Sequence, residues 1–304
     1  MLGLTALAGC GDTQSALVAP QPPRFRLNQG PFPVWNVGQY GRIEGRPVFF
    51  YAHGTTDPDN DKLSYSWSFG DGTTGSGYET YHTYSDNGLY VARLNVSDGH
   101  GGTAFADFTV DIANAEPKPG VLSVDANLVE GQAFNVSTTP GTDAPTDMAA
   151  GLEYSYYCGG PSWSGWAREL THTCPARPDN GQIAVGVMVR DKNGAMRQAP
   201  SKSIQVANLP PRTSLVGWSF ADPAVPGRAV RLLYQFADAA GDVAGNHLEV
   251  NWGDSSPALK GAAWANTSYL LQHTYAAAGT YHVNISVTDK DGAQTGRQVD
   301  VIVP

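Results

Sequence analysis

The clearest pattern in the chain is a strict alternation of apolar and polar residues, which occurs three times. Each copy follows a glycine, at Gly88, Gly181 and Gly279. The apolar positions are Tyr90, Ala92, Leu94 and Val96, then Ile183, Val185, Val187 and Val189, then Tyr281, Val283, Ile285 and Val287. A period of two with one apolar face predicts a half-buried antiparallel strand in each copy.

The residues around these strands also repeat. A His-Thr pair precedes each strand, and an aspartate followed by a glycine-containing turn ends it. Upstream, "RIEGRPVFFYA" from Arg42 corresponds to "LVEGQAFNVST" from Leu128 and, more loosely, to "AVPGRAVRLLY" from Ala224. Short Pro-containing linkers lie at Ala113 and Ala207. Internal repetition of this kind predicts a tether at 1–23 and three domains at 24–113, 114–207 and 208–304.

The motif "DPDNDKLSYSWSFGDG…HTYSDNGLYVARLNVSDG" resembles the PKD domain, an immunoglobulin-like sandwich. The resemblance is strong in 24–113, good in 208–304 and weak in 114–207. It implies an all-β chain of three tandem Ig-like/PKD-like antiparallel β-sandwiches joined by short Pro-containing linkers. Low charge content (15%), 35 glycines and 21 prolines favour the same class. Because such modules serve as spacers, binders and accessory domains, the resemblance specifies the fold much more than the function.

One of the three cysteines is a candidate for lipidation, and the other two are candidates for a disulfide. The start "MLGLTALAGC" resembles the lipobox of bacterial lipoproteins, which predicts lipidation of Cys10 and a flexible tether behind it. Cys158 and Cys174 occupy the repeat positions of Phe69 and Tyr84, two residues that we expect to touch in the first repeat. Their joint replacement predicts a disulfide and therefore an oxidising compartment.

The net charge of −9 argues against nucleic acid as a partner and is otherwise explained by solubility. No segment approaches the ~20 apolar residues that span a bilayer. Any membrane association should therefore run through the lipid anchor alone.

The stretch "WSFGDG" could be a ligand loop or a structural turn. Alternation puts Tyr65, Trp67 and Phe69 on one face, and Gly70-Asp71-Gly72 then reverses the chain. A phosphate loop would need a helix next, so a turn is favoured. His82, His172 and His273 occupy equivalent positions in separate repeats, which favours a structural role over a shared metal or catalytic site.

The acidic stretch "DPDND" is a sharper candidate for chemistry. Asp57, Asp59 and Asp61 could offer hard oxygen ligands to Ca²⁺, or they could form an Asx-rich turn without an ion. The corresponding acids of the other repeats look scattered, which predicts a single ion site at most. They are Asp143, Asp147, Asp238 and Asp242.

The tryptophans fall into two classes. Trp67 and Trp252 fit the repeat and should lie in the cores. Trp163 and Trp166 fit no repeat position and lie between the two paired cysteines. They either present a surface for sugar or protein or cover the end of a core.

No nucleophile with a neighbouring base, carboxylate pair or cofactor fingerprint stands out, so an enzyme is not expected. The leading hypothesis is a lipid-anchored, exported stalk and interaction module at the cell envelope. One alternative is an adhesin-like protein that binds polysaccharide or another polymer through Trp163 and Trp166. Another is an accessory subunit of a secretion or pilus complex.

Overall fold

A computed structural model describes residues 26–38, 41–221 and 228–304. Cys10 and the whole of the predicted tether lie outside these residues. The chain divides into two compact units. One contains residues up to Gly41, Pro47–His82 and Leu89–Asp111, and the other contains Arg42–Arg46, Thr83–Gly88 and Ile112–Pro304. Two short segments that belong to the first repeat by sequence are therefore part of the second unit.

The first repeat forms two antiparallel sheets. Its strands are β1 (Asn36–Val37), β2 (Pro47–Tyr51), β3 (Ser64–Ser68), β4 (Thr74–Ser76), β5 (Glu79–Thr83), β6 (Gly88–Ser97) and β7 (Thr103–Ile112). The sheet orders are β1-β2-β5 and β4-β3-β6-β7. In β6 the residues predicted to face inward, Ala92, Leu94 and Val96, are buried.

The second repeat has the same division into two sheets, with one short helix added. Its elements are β8 (Leu122–Val124), β9 (Phe134–Thr138), α1 (Pro145–Ala150), β10 (Glu153–Tyr157), β11 (Thr171–Cys174), β12 (Gly181–Arg190), β13 (Met196–Gln198) and β14 (Lys202–Val206). One sheet has the order β11-β9-β8, and in the other β12 pairs with β10, β13 and β14. Sequence periodicity did not predict α1, since six residues are too few to show a helical repeat.

The third repeat is built in the same way. Its strands are β15 (Arg212–Phe220), β16 (Ala229–Ala237), β17 (Asn246–Asn251), β18 (Leu259–Ala263), β19 (Ser268–Thr274), β20 (Gly279–Thr288) and β21 (Gln294–Val303). The sheets are β15-β16-β19 and β18-β17-β20-β21. A 3-10 turn at Ala240–Asp242 precedes β17.

Buried side chains of both sheets form each core. In the third repeat Leu232 and Tyr234 of β16 pack with Val250 of β17 and Ile285 of β20. Trp67 and Trp252 are 1% and 4% exposed, as predicted. The all-β sandwich architecture is confirmed, while the repeat boundaries stay predictions. Among the described residues, no helix has the length and apolar character that crossing a bilayer requires.

Residues 28–38 belong to the first repeat. Asn36 and Val37 pair with β2. The ring of Trp35 lies 5.3 Å from those of Trp67 and Phe108, and its Nε1 donates a hydrogen bond to the carbonyl of Ala106 at 3.0 Å. This tryptophan fastens the start of the repeat to its sheets.

Candidate functional site

The acidic loop after β2 brings two of its aspartates close to a third at the end of β6. Asp57 Oδ1 accepts hydrogen bonds from the backbone N–H groups of Asp59 (2.9 Å) and Asp61 (3.2 Å). Asp98 Oδ1 accepts from two N–H groups of the following turn, at 2.8 and 2.9 Å. One oxygen each from Asp57, Asp61 and Asp98 lie within 4.8 Å of one another. The predicted Asx turn is present, and its acids form part of a compact group.

Asp59, the remaining residue of the predicted calcium set, lies outside this group. Its Oδ2 accepts the backbone N–H of Gln29 at 2.7 Å, and its Oδ1 lies 3.7 Å from the guanidinium of Arg26. Asp98 takes its place and accepts the side-chain amide of Asn28 at 2.7 Å. Sequence reasoning missed Asp98 as a member, although the repeated aspartate at the strand end was the signal that could have revealed it.

The expectation that only the first repeat gathers its acids is wrong. Equivalent groups, with oxygens within the same 4.8 Å, are Asp143, Asp147 and Asp191 in the second repeat and Asp238, Asp242 and Asp289 in the third. The asparagine also recurs, because Asn114 donates to Asp191 at 2.8 Å and Asn208 donates to Asp289 at 3.0 Å. The arrangement is therefore a property of the repeat. We call each of these three sets of aspartates an acid group.

The acid groups of the second and third repeats are largely buried. Asp147 and Asp242 are fully buried. Within the described residues, their carboxylate oxygens receive no hydrogen bond from the backbone or a neutral side chain. One oxygen each of Asp143 and Asp238 is also buried without a hydrogen bond. A buried carboxylate is strongly unfavourable unless a positive charge or hydrogen bonds compensate it.

One lysine approaches each of these two buried groups. Lys192 Nζ lies 3.5 Å from Asp147 Oδ1 and 2.8 Å from Asp86 Oδ1. Lys290 Nζ lies 2.8 Å from Asp242 Oδ1 and 2.7 Å from Asp179 Oδ1. Each ammonium faces several carboxylates, so it compensates only part of the local negative charge.

The protonation equilibria reflect this excess of negative charge. Burial, with a smaller contribution from Asp147, raises the pKa of Asp143. Burial, with Asp242 and Asp289 adding to it, raises the pKa of Asp238 to about 6. Two buried glutamates beside the groups behave alike: burial raises the pKa of Glu44, and it raises that of Glu130 to about 7. These sites favour a bound proton or another cation.

The donor chemistry suits a hard divalent cation. Each acid group offers carboxylate oxygens. The asparagine that donates a hydrogen bond to the group also carries an amide oxygen, and in Asn114 and Asn208 this oxygen is buried without a hydrogen bond. Calcium takes six to eight such oxygen ligands in flexible geometry, whereas zinc sites in proteins rely mainly on nitrogen and sulfur. No histidine or cysteine belongs to any of the acid groups in the described part of the chain.

The "WSFGDG" motif is a structural turn. Gly70 and Gly72 have φ of 87° and 89°, and Asp71 accepts the N–H of Thr73 at 3.0 Å. His82 Nε2 lies 2.7 Å from Asp71 Oδ2, while its ring stacks on Phe69 with centroids 4.1 Å apart. The predicted structural role of this histidine follows from these contacts.

The third repeat has the same pairing of a histidine with the turn aspartate and the same stacking of that histidine on an aromatic ring. His273 Nε2 lies 2.7 Å from Asp254 Oδ2, and its ring stacks on Trp252 at 4.7 Å. Burial alone would raise the pKa of Asp254, but hydrogen bonds from Ser256 and His273 outweigh it and lower this pKa to about 2. His172 of the second repeat stacks on Tyr156 at 5.5 Å.

The structure contains the disulfide between Cys158 and Cys174, with Cα atoms 5.7 Å apart. In the third repeat the aligned residues are Trp252 and Tyr275, and the Tyr275 hydroxyl donates to the Trp252 carbonyl at 3.1 Å. The two cysteines thus replace a pair that is in contact.

The two unassigned tryptophans are half-buried. The ring of Trp163 packs 5.5 Å from that of Tyr157, and the guanidinium of Arg190 lies 4.5 Å from the Trp166 ring. These contacts favour the packing interpretation and leave part of each ring for binding.

A more exposed set of rings lies on the outer face of the sheet β1-β2-β5. Val48 and Phe50 of β2 point into the core and are fully buried. The rings on the outer face are Phe49, Tyr51, His53, Tyr78 and Tyr81, with neighbouring centroids 4.7 to 5.3 Å apart. We call this set the aromatic surface. The sequence reasoning missed it, although the alternating rings of "VFFYAH" and the two tyrosines of "YETYH" were the available signal.

The chain is similar in sequence to several known proteins. A family model described as "PKD domain" matches residues 31–112 and 217–303, which together make up more than half of the chain. A microbial collagenase from Vibrio alginolyticus is 35% identical over 86 residues, covering 28% of this chain and 10% of the collagenase. Polycystin-1 from Homo sapiens is 38% identical over 97 residues, covering 31% of this chain and 2% of polycystin-1.

Among solved structures, the PKD1 domain of Vibrio anguillarum Epp is 27% identical and aligns over 29% of this chain and 100% of that domain, with a TM-score of 0.26. The alignments with the two curated relatives span 10% or less of those relatives' length. Because the family model covers more than half of the residues, this chain belongs to the PKD domain family.

Proposed function

We propose that the chain is an exported, non-catalytic spacer and interaction module whose repeats are stabilised by calcium. The observation that carries the proposal is the acid group, which recurs at one topological position in all three repeats. A turn that needed only Asx hydrogen bonds would not require three carboxylates within 4.8 Å of one another. Extracellular modules commonly bind calcium in the range of about 10⁻⁴ to 10⁻³ M, where it acts as a structural ion.

Calcium should act mainly through stability. An ion that binds only the folded state stabilises it by RT ln(1 + [Ca²⁺]/Kd), which is about 1.8 kcal/mol at 2 mM calcium and a Kd of 0.1 mM. For a small domain this shifts the unfolding midpoint by about 7–14 °C.

Differential scanning calorimetry in 2 mM CaCl₂ and in EDTA measures the effect. The parent should unfold at a higher temperature in calcium, and Asp57→Asn combined with Asp98→Asn should abolish the shift of the first repeat alone. Asp111→Asn is the matched control, because Asp111 is exposed on β7 and lies outside the acid group. Equal midpoints of the parent in calcium and in EDTA would refute calcium binding.

The proposal includes a lipid anchor at Cys10, with residues 1–23 as signal remnant and tether. It rests on the lipobox-like sequence, and the collagenases among the relatives are consistent with an exported protein. Mass spectrometry of the native protein tests it, since diacylation of Cys10 and loss of residues 1–9 are the expected results.

A second candidate function is binding of an extracellular polymer, which the aromatic surface favours. Tyr81 is 68% exposed and Tyr78 is 44% exposed, and both belong to a continuous row of rings. Three of the relatives are collagenases, so fibrous protein is a reasonable polymer to test besides polysaccharide.

Pull-down on insoluble collagen and on insoluble glycans distinguishes the two aromatic candidates. If the aromatic surface binds, Tyr81→Ala should weaken retention roughly fivefold or more, because a stacked ring contributes about 1 kcal/mol. Trp163→Ala with Trp166→Ala tests the alternative surface in the second repeat. Undiminished retention of both variants would exclude both surfaces.

A further inference from the structure

A glutamate of the second repeat is held against the acid group of the third. Glu130 lies in the bend before β9 and is fully buried. Its backbone N–H donates to the carbonyl of Ala207 at 3.0 Å, and its Oε1 accepts the N–H of Leu209 at 2.8 Å. Its position is thus fixed by the linker that leads into the third repeat.

The other oxygen of Glu130 faces carboxylates. Oε2 is buried and receives no hydrogen bond within the described residues. Oxygens of Glu130, Asp179 and Asp242 lie within 4.8 Å of one another, and Asp242 also belongs to the acid group with Asp238 and Asp289. Carboxylates of two successive repeats therefore form one continuous cluster that shares Asp242.

Glu44 has the same backbone contacts one repeat earlier and also lies next to an aspartate. It is 1% exposed, its N–H donates to the carbonyl of Ala113 at 3.1 Å, and its Oε1 accepts the N–H of Ala115 at 2.8 Å. Its Oε2 has no hydrogen-bond donor within the described residues, and its carboxyl adjoins that of Asp147. All of these residues lie in the second compact unit.

The lysines do not balance this charge. Lys290 Nζ pairs with Asp179, Asp242 and Asp291. Asp242 in turn is grouped with Glu130, Asp238 and Asp289. Of these six carboxylates, those of Glu130, Asp238, Asp242 and Asp289 are buried or half-buried, whereas those of Asp179 and Asp291 are exposed. A single ammonium leaves a large negative excess among the four in a region of low dielectric constant. A divalent cation held between Asp242 and its neighbours would compensate it.

We propose that Glu130 and Glu44 are additional calcium ligands, so that each ion joins the segment that carries the glutamate to the repeat that carries the aspartates. This inference rests on the calcium binding proposed above and adds that binding in the second and third repeats orders the linkers. No glutamate is grouped with the aspartates of the first repeat among the described residues, which makes this repeat an internal control.

Hydrogen exchange measured by mass spectrometry on the full chain, during a CaCl₂ titration from EDTA, tests the proposal. Two segments report: the linker at 207–212, which leads into the third repeat, and residues 57–61 of the first repeat. In the parent, calcium should slow exchange in both. In Glu130→Gln, exchange of residues 57–61 should slow at the same calcium concentration as in the parent. Exchange of the linker should slow only at a calcium concentration about tenfold higher or more.

Glutamine keeps the size of the side chain and can still accept the N–H of Leu209. Unchanged exchange of strand β20 in EDTA should show that the variant is folded. Glu249→Gln is the matched control and should behave like the parent, because Glu249 is a half-buried residue of β17 that pairs with Lys260 and lies outside the acid groups.

The outcomes separate the two proposals. Linker protection at the same calcium concentration in the parent and in Glu130→Gln overturns the inference and leaves calcium binding intact. Protection of residues 57–61 in the parent without protection of the linker overturns it as well. Calcium that slows exchange in neither segment overturns the proposed calcium function itself.

Discussion

Removal of the disulfide should destabilise the second repeat selectively. The perturbation is the double substitution Cys158→Ala and Cys174→Ala. The two cysteines are 16 residues apart in sequence, and closing a loop of that length lowers the entropy of the unfolded chain by an amount worth about 3 kcal/mol. Cys174 is fully buried, so its truncation adds a small packing loss of about 1 kcal/mol.

This loss is large relative to the stability of one repeat. A domain of about 90 residues is stable by about 5–13 kcal/mol, so a loss of about 4 kcal/mol leaves the second repeat marginal. The first and third repeats have no cysteine in their described residues and should keep their stability.

Hydrogen exchange resolved by strand is the appropriate assay, because a multidomain chain does not unfold in two states. Exchange in β10 and β12 should accelerate roughly a hundredfold or more, while β17 and β20 should be unchanged. Dithiothreitol should reproduce the effect in the parent and do nothing to the double variant. Acceleration below about fivefold, or equal acceleration in the third repeat, would refute the reasoning.

Two further predictions concern the turn motifs. Gly70→Ala should destabilise the first repeat by about 2–4 kcal/mol, because the added Cβ would lie 2.6 Å from the carbonyl oxygen of Val91 at a φ of 87°. Gly72→Ala, with a φ of 89° and open space around it, should lower the stability by only about 1 kcal/mol. Urea denaturation compares the two variants, and equal losses of stability would exclude the clash as the cause. Asp254→Asn should lower the stability of the third repeat by about 2 kcal/mol near neutral pH. The folded-state pKa lies below the ordinary value, so this contribution is present above pH ~4 and disappears as the pH falls towards 2. Unfolding of parent and variant between pH 2 and 6 should therefore converge at the acid end, and a constant difference would contradict the assignment.

Much of the fold could be predicted because its signals are local and repeated. The alternation that predicted β6, β12 and β20 reflects one buried face per strand, and the joint replacement of two contacting positions predicted the disulfide. Helix α1 was missed because its proline-initiated turn is too short to produce a period. Trp35 was missed because its partners, Trp67 and Phe108, are distant in sequence.

The candidate site was only partly predictable for a related reason. The sequence showed the acids after β2, but the third member of the group comes from the far end of another strand, and the antiparallel pairing of β3 with β6 brings the two regions together. Sequence also gives no measure of burial. Asp147 and Asp242 look like ordinary surface acids, and their full burial is a consequence of tertiary packing.

The second repeat lacks several motifs of the fold and yet contains a complete acid group. It has lost the Gly-Asp turn and the aromatic pair, and a disulfide holds the corresponding strands instead. Its acid group nevertheless has the same three aspartates, the same asparagine bond to Asp191 and a lysine in the same place as in the third repeat. Buried carboxylates oppose folding unless they are compensated. The sandwich of the second repeat is held together by other contacts, so these carboxylates are not needed to form it. Their presence in the most divergent repeat therefore favours a role in binding a cation over a role in forming the sandwich.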